Sequence, residues 1–351
     1  MPSPLHTRLC DLLGCRWPIV QTGMGWVATP ELTAAASNAG AFGMLAAATI
    51  RPEDIDAAIG RVKELTAQPF GVNFLMDAPG ADRISDAIIR HGVRAAGYNR
   101  APDKALITKL KDAGVVCVPT IGAPKHAVKA AQLGADAVIA QGGEGGGHTG
   151  SVPTSILLPQ VASSVDIPVI GAGGFKDGRG LVAALAFGAA GVAMGTRFLL
   201  TKESPVPEAT ARRYLDAGVD DVVVTREIDG MPQRVVMNEL VERLTKLGPL
   251  RRTAFALRNA LAFRRTTGAS VGDLLRSALA MRRNERLTRS QLLMAANAPM
   301  LARRAMQEGD PVEGYLPSGT IAGAIDDRPS CAELVARIVE EAERTLKALG
   351  A

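Results

Sequence analysis

Eight times in its first 200 or so residues the chain repeats one unit: a short apolar run, a loop of Gly, Asn, Thr or Pro, and a segment with helical spacing. The runs are Pro18 to Gln21, Phe42 to Ala46, Phe70 to Phe74, Val93 to Gly97, Val115 to Pro119, Ala137 to Gln141, Pro168 to Ala172 and Gly191 to Gly195. Helix candidates follow them: Pro30 to Asn38, Pro52 to Leu65, Asp82 to His91, Asp103 to Ala113, Pro124 to Leu133, Pro153 to Ser163, Gly178 to Phe187 and Pro207 to Ala217. Runs that stay apolar instead of alternating have both faces covered, as parallel strands joined by helical crossovers do. Eight such units predict an α/β fold, a (β/α)8 TIM barrel. An open doubly wound sheet is the competing arrangement. The loop after the first run, Gln21-Thr22-Gly23-Met24-Gly25-Trp26, matches a dinucleotide fingerprint only weakly and has no acidic residue at the expected distance.

In such a barrel the chemistry sits where the strands end. Gly23, Met24 and Gly25 follow the first run, Asn73 ends the third, Thr120 and Gly122 follow the fifth, and Gln141 ends the sixth. Gly173 and Gly174 follow the seventh, and Met194, Gly195, Thr196 and Arg197 close the eighth. Many barrels bind phosphate at the last two loops, through backbone N–H groups and a helix N-terminus. Gly173, Gly174, Gly195 and Thr196 suit that role, with tight turns and no ligand as the alternative. Asn73 and Gln141 offer amides that donate and accept, which suits the mixed edge of an isoalloxazine or a nucleobase. Met24 could cover a flat face. Together they predict a flat phosphorylated cofactor without saying which one.

The sixth loop is the densest in the chain. Five of the seven residues from Gly142 to His148 are glycines, which lets backbone approach a ligand closely. His148 is left among them as the candidate catalytic group, since an imidazole exchanges protons near neutral pH. Glu144 is expected to cap or brace the loop. His126, at the start of a helix after run five, is a weaker candidate for ligand contact; His6 and His91 lack any such setting.

Composition bounds the rest. At 351 residues, 47% hydrophobic and 21% charged, the chain fits a large barrel and a smaller domain. The expected division is a barrel over 1–205, with 312–351 packing back on it, and a mainly helical, arginine-rich lid or substrate domain over 206–311. No segment has the ~20 apolar residues of a spanning helix and the N-terminus lacks a signal-peptide core, so a cytoplasmic protein is expected. Cys10, Cys15, Cys117 and Cys331 are scattered, which predicts buried reduced thiols and no metal site. From Arg251 to Arg304 twelve arginines face only Asp273 and Glu285. A solvated helix face is one reading; the other is a lid whose arginines, Arg251, Arg252, Arg282 and Arg283 among them, meet the phosphates of a CoA thioester. Nucleic-acid binding is not expected, because the stretch holds only Phe255 and Phe263 as aromatics and no recognisable module.

Several stretches together resemble the nitronate monooxygenase, or 2-nitropropane dioxygenase, family: Gln21-x-Gly-Met, Phe-Gly-Val-Asn at 70–73, Gln-Gly-x-Glu-x-Gly-Gly-His-x-Gly at 141–150, Gly-Ala-Gly-Gly-Phe-x-Asp-Gly-Arg-Gly at 171–180, Met-Gly-Thr-Arg-Phe at 194–198 and Ser-Gly-x-x-Ala-Gly-x-Ile-Asp-Asp at 318–327. The resemblance covers most of the chain and implies an FMN-dependent TIM barrel. It implies FMN bound through Asn73, Gln141, Gly146, Gly174 and the stretch Ala193, Met194, Gly195, Thr196, with His148 as the active-site histidine. Enoyl-thioester reductases and NAD(P)H:quinone reductases belong to the same superfamily. Within the family, stretches 21–27, 142–150 and 293–301 are most similar to a branch that acts on a CoA thioester of the steroid C/D-ring remnant. Typical nitronate monooxygenases have Glu-Ala-Gly-Gly-His where this chain has Glu144-Gly145-Gly146-Gly147-His148. The resemblance therefore implies an FMN-dependent oxidoreductase that forms or reduces an α,β double bond in a bulky cyclic acyl-CoA thioester. Nitronate oxidation with O2 and NAD(P)H-dependent thioester or quinone reduction are the alternatives. The electron partner and a homo-oligomeric state are left open.

Overall fold

The computed structural model describes residues 3–78, 80–99, 103–247 and 289–350. Within them β1 (Ile19–Gln21), β2 (Phe42–Ala46), β3 (Phe70–Leu75), β4 (Ala95–Asn99), β5 (Val116–Ile121), β6 (Val138–Gln141), β8 (Val169–Ala172) and β9 (Gly191–Met194) form a closed barrel; β7 (Gly147–His148) lies outside that circle. Neighbours are parallel throughout, and β1 closes on β9 with Val20 opposite Ala193. The chain is a TIM barrel, as the eightfold repeat predicts. Strand β4 starts two residues later than the spacing suggests, because Val93 still closes the turn that ends the helix Ala81–Arg90, its N–H donating to Ile88 O at 3.0 Å.

Alternation along each strand sorts the core into two layers. Val20, Phe42, Met44, Ala95, Val116, Val118, Ile139, Ile170, Ala172 and Ala193 share one buried cluster with Leu9, Cys10 and Leu13 of the helix Arg8–Leu13. The residues of opposite parity, such as Leu45, Val72, Phe74, Ala96, Tyr98 and Cys117, pack under the helices instead. Thr7 fixes the first helix at both ends of its own side chain, accepting from Leu9 N and donating to Ala190 O at 2.6 Å. The helix Pro30–Asn38 starts at a proline behind the Thr29 cap, and Asp103 and Asp177 cap two later ones.

Two compact units result: Met1–Gly145, Thr149–Pro205 and Ile325–Ala351 form the barrel unit, and Gly146–His148 with Val206–Ala324 form the second. The barrel unit ends in the helix Cys331–Ala348, begun by a Ser330/Glu333 capping box. It lies so close to the helix Gly178–Ala186 that a Cβ on Gly178 would sit 2.8 Å from the Glu341 carbonyl carbon.

In the second unit the helices Glu208–Leu215, Glu239–Lys246 and Arg289–Met306 accompany an antiparallel sheet that helical spacing does not anticipate. There β11 (Gln233–Val236) pairs with β10 (Val222–Thr225), with β12 (Leu316–Pro317) and with β7. That pairing corrects the expected boundary: residues 312–324, expected on the barrel, belong to the second unit, because Leu316 sits opposite Val236 and Tyr214 donates its hydroxyl to Pro317 O at 2.8 Å. Arg251, Arg252, Arg282 and Arg283 lie outside the described residues.

Candidate active site

On the barrel's inner face four strands carry a polar residue of inward parity at or near their ends. On β3 Gly71 leads to Asn73, on β4 Ala95 and Gly97 lead to Asn99, on β5 Val118 leads to Thr120, and on β6 Ile139 leads to Gln141. A polar rim of amides and a hydroxyl therefore sits above an apolar plug.

Glycines shape that rim. A Cβ on Gly23 would overlap Asn73 and lie 2.9 Å from its Cγ, and one on Gly97 would lie 3.0 Å from Asn73 Nδ2. A Cβ on Gly145 would come 2.6 Å from Gln141 Cγ and 2.7 Å from its Nε2. Gly195 stands beside Met24, whose sulfur would be 3.4 Å from an added Cβ. Gly23, Met24, Asn73 and Gly195 thus gather on one side, and Gln141, Gly145 and Gly173 on another. Ala193 and Met194 are buried in β9.

The helices after β6, β8 and β9 begin differently. The helix Gly178–Ala186 has its first donors occupied: Gly180 N donates to Asp177 at 3.0 Å and Gly178 N to Glu341 at 2.8 Å. The helix Thr154–Ala162 is held likewise by Glu144, which accepts from Thr154 N at 2.8 Å and from its hydroxyl at 2.7 Å, so Glu144 braces the loop as expected. The four-residue helix Thr196–Leu199 starts directly after Gly195, and Gly173 and Gly174 take φ of 99° and 82°, values glycine adopts without strain. A phosphate cradle of backbone at Gly173, Gly174, Gly195 and Thr196 fits this arrangement.

Asn99 was not among the sequence candidates. Its Oδ1 is buried without a hydrogen-bond partner among the described residues, an orphaned acceptor on the strand next to Asn73. Reading the fourth strand two residues early hides it. Extending the inward alternation from Ala95 would have exposed it.

In the second unit Gly147 and His148 form β7, paired with Arg234 and Gln233. His148 Nε2 lies 2.6 Å from Asp229 Oδ2. An ionised carboxylate can only accept, so that nitrogen carries the proton. Gln233 Nε2 donates to the same oxygen at 2.5 Å, and Met231 N donates to the other at 3.0 Å. Burial alone would push the Asp229 carboxyl up, but the His148 hydrogen bond and charge, with the Met231 and Gln233 donors, hold it below the usual value. Asp229 and Gln233 stand 81 and 85 residues beyond His148. The single sequence signal is the Asp229-Gly230 pair, a hairpin turn marker. Gly146 packs on the Ser318–Gly319 backbone, where a Cβ would come 2.6 Å from Gly319 N. The peptide Gly146–His148 is joined at both ends to barrel residues, Gly145 and Thr149.

The other histidines do structural work or none: His6 lies 2.8 Å from Asp11, His91 lies 2.9 Å from Asp56, and His126 is exposed on the helix Pro124–Gln132. All four cysteines are free and buried, and no cluster of metal-ligating side chains occurs among the described residues.

The family model for nitronate monooxygenase matches residues 6–99 and 86–341. The chain belongs to the nitronate monooxygenase family. As a member of that family it is a flavin-dependent oxidoreductase. Two relatives are similar over nearly their whole length. Each is a (3aS,4S,5R,7aS)-5-hydroxy-7a-methyl-1-oxo-octahydro-1H-indene-4-carboxyl-CoA dehydrogenase, from Rhodococcus jostii at 52% identity (99% of both chains) and from Mycobacterium tuberculosis at 54% (96% of both). Among solved structures, FabK from Thermotoga maritima is similar with a TM-score of 0.79 at 32% identity, covering 98% of each chain. No helix among the described residues is long and apolar enough to cross a membrane.

Proposed function

We propose that this family member is an FMN-dependent dehydrogenase that forms an α,β double bond in a hydroxylated bicyclic carboxyl-CoA thioester of the steroid C/D-ring type. The observation that carries the acid–base role is the 2.6 Å contact between His148 Nε2 and the buried Asp229. The substrate class comes from the relatives, more than half identical over at least 96% of the chain, which are dehydrogenases of such a thioester.

The residues proposed to hold FMN are Gly23, Met24, Asn73, Thr120 and Gln141 toward the ring and Gly173, Gly174, Ala193, Met194, Gly195 and Thr196 toward the phosphate, with Gly146 added by family resemblance. The orphaned Asn99 acceptor and the glycine-lined rim fit a planar ring with N–H donors. Bound there, FMN supplies a two-electron acceptor for the β hydride. Asp229 holds the imidazole of His148 in the Nε2–H tautomer, so its Nδ1 is the basic nitrogen. Nδ1 takes the acidic α proton of the thioester, and Asp229 stabilises the imidazolium that results. Gln233 and the Met231 amide keep the Asp229 carboxylate from rotating away. Arg251, Arg252, Arg282 and Arg283 are proposed to meet the CoA phosphates.

Anaerobic titration of the purified protein with the hydroxyindanone carboxyl-CoA thioester, following flavin absorbance, tests this. Bleaching in the wild type and not in His148→Ala is the expected result. Bleaching by alkyl nitronates alone, or by NAD(P)H with an enoyl thioester as reoxidant, would replace the reading with the corresponding alternative.

A further inference from the structure

Two stretches that stand out in the sequence, 194–198 and 318–327, include a pair of charged residues that the proposed chemistry does not use: Arg197 and Asp327. The barrel unit joins them. Arg197 is 5% exposed; its Nη1 donates to Asp327 Oδ1 at 2.7 Å and its Nη2 to the Asp327 carbonyl at 3.1 Å and to Leu200 O at 3.2 Å. The second Asp327 oxygen accepts from Arg337 at 2.7 Å, on the closing helix. More bonds run the same way: Lys202 N to Pro329 O at 2.9 Å, Arg328 Nε to Thr201 O at 3.0 Å, and Cys331 N to the Glu203 carboxylate at 2.9 Å.

We propose that Asp327 is a positioning residue for the flavin phosphate: through Arg197 it sets the one-turn helix Thr196–Leu199, and the segment 327–331 and the cofactor bind cooperatively. The inference rests on the FMN reading above. A single helical turn cannot hold its own geometry, since nucleation is unfavourable and the turn has too few hydrogen bonds to offset it. Its shape is imposed by what it is tied to. Arg197 follows Thr196 directly and spans from Leu200, just past the helix, to Asp327, so the guanidinium locks both the turn and the returning chain. Without Asp327 the buried cation has lost its carboxylate among the described residues, and it must move toward water. Thr196 and Gly195 move with it. Coupling of this kind is reciprocal, so FMN should also tighten the 327–331 segment.

Two measurements on the full chain test this. The first is the FMN dissociation constant of Asp327→Asn, from quenching of FMN fluorescence on titration into apoprotein, beside Glu333→Gln, which removes the Lys202 pair at the same junction without touching Arg197. The second is amide hydrogen exchange of the wild type with and without FMN. A Kd at least tenfold weaker in Asp327→Asn, within twofold of wild type in Glu333→Gln, and slower exchange of the Lys202 and Cys331 amides on FMN binding are expected. A Kd within twofold in Asp327→Asn, or exchange at those amides indifferent to saturating FMN, overturns the coupling. Should Asp327→Asn fail to fold, Arg337→Gln takes its place and the wild-type exchange still decides. Failure of the wild type to bind FMN at all overturns the flavin reading, and the coupling with it.

Discussion

Asp229→Asn isolates the part of the proposed active site that only the folded chain assembles. The carboxylate accepts three hydrogen bonds: from His148 Nε2 and Gln233 Nε2 on one oxygen and from Met231 N on the other. An asparagine has one acceptor oxygen, so its NH2 must face either the Met231 N–H or the His148 and Gln233 donors. In the second arrangement His148 switches to the Nδ1–H tautomer and loses the basic nitrogen assigned to the α proton. A hydrogen bond to a charged group contributes about 1.5–3 kcal/mol. The His148 side chain is 48% exposed, so solvent screens the pair and the lower end applies. At about 1.4 kcal/mol per tenfold, the rate of flavin bleaching by saturating thioester should fall roughly ten- to thirtyfold. Rapid anaerobic mixing measures that rate, and the FMN dissociation constant, expected to be unchanged, serves as the control. His148→Ala with Asp229→Asn should be no slower than His148→Ala alone, since Asp229 acts through the imidazole. A bleaching rate within twofold of wild type, in a protein that folds and holds flavin, would show that the dyad is architecture and not acid–base machinery.

Three further outcomes follow from single contacts. Glu144→Ala strips the Thr154 N–H of its acceptor and leaves the hydroxyl to the Gly173 carbonyl at 3.0 Å, a loss comparable to an N-cap and therefore about 1–2 kcal/mol in chemical denaturation; an unchanged midpoint would remove the bracing role. Gly145→Ala puts a methyl 2.6 Å from Gln141 Cγ and pushes the amide off the rim; FMN affinity should fall by about tenfold, the loss of one hydrogen bond, and a Kd equal to wild type would show that Gln141 does not touch the ring. The Glu333 carboxyl is held down to about 2 by the Ser330 N–H and hydroxyl and by Lys202. Its folded value lies below the unfolded value of about 4.3, so its stabilisation is present above that pH and is lost as pH falls toward 2. The difference in thermal midpoint between wild type and Glu333→Gln should be constant near neutrality and shrink on acidification; a difference that persists at the acid end would contradict the assignment.

The barrel was legible because its periodicity is local. A parallel strand covered on both faces must be apolar at every position, and eight such runs spaced by helices leave few other topologies. The strand-end residues were legible for the same reason: once the runs are placed, Asn73, Thr120 and Gln141 fall at their ends by counting. Asn99 was missed by a two-residue error at β4, where Val93 is apolar but closes the turn after a helix. The strands of the second unit were missed because four residues of β10 and two of β12 carry too little alternation to register.

By itself the sequence determined the eightfold architecture, the glycines that must admit close approach, and the histidine among them, since these depend on backbone sterics and neighbouring residues. Tertiary structure decided the partners. Asp229 meets His148 across 81 residues and Asp327 meets Arg197 across 130, through a hairpin and a returning segment whose positions no local pattern encodes. Hydrogen bonds and ion pairs act over about 3 Å in space whatever the separation along the chain, so these partners were fixed only when the chain closed on itself.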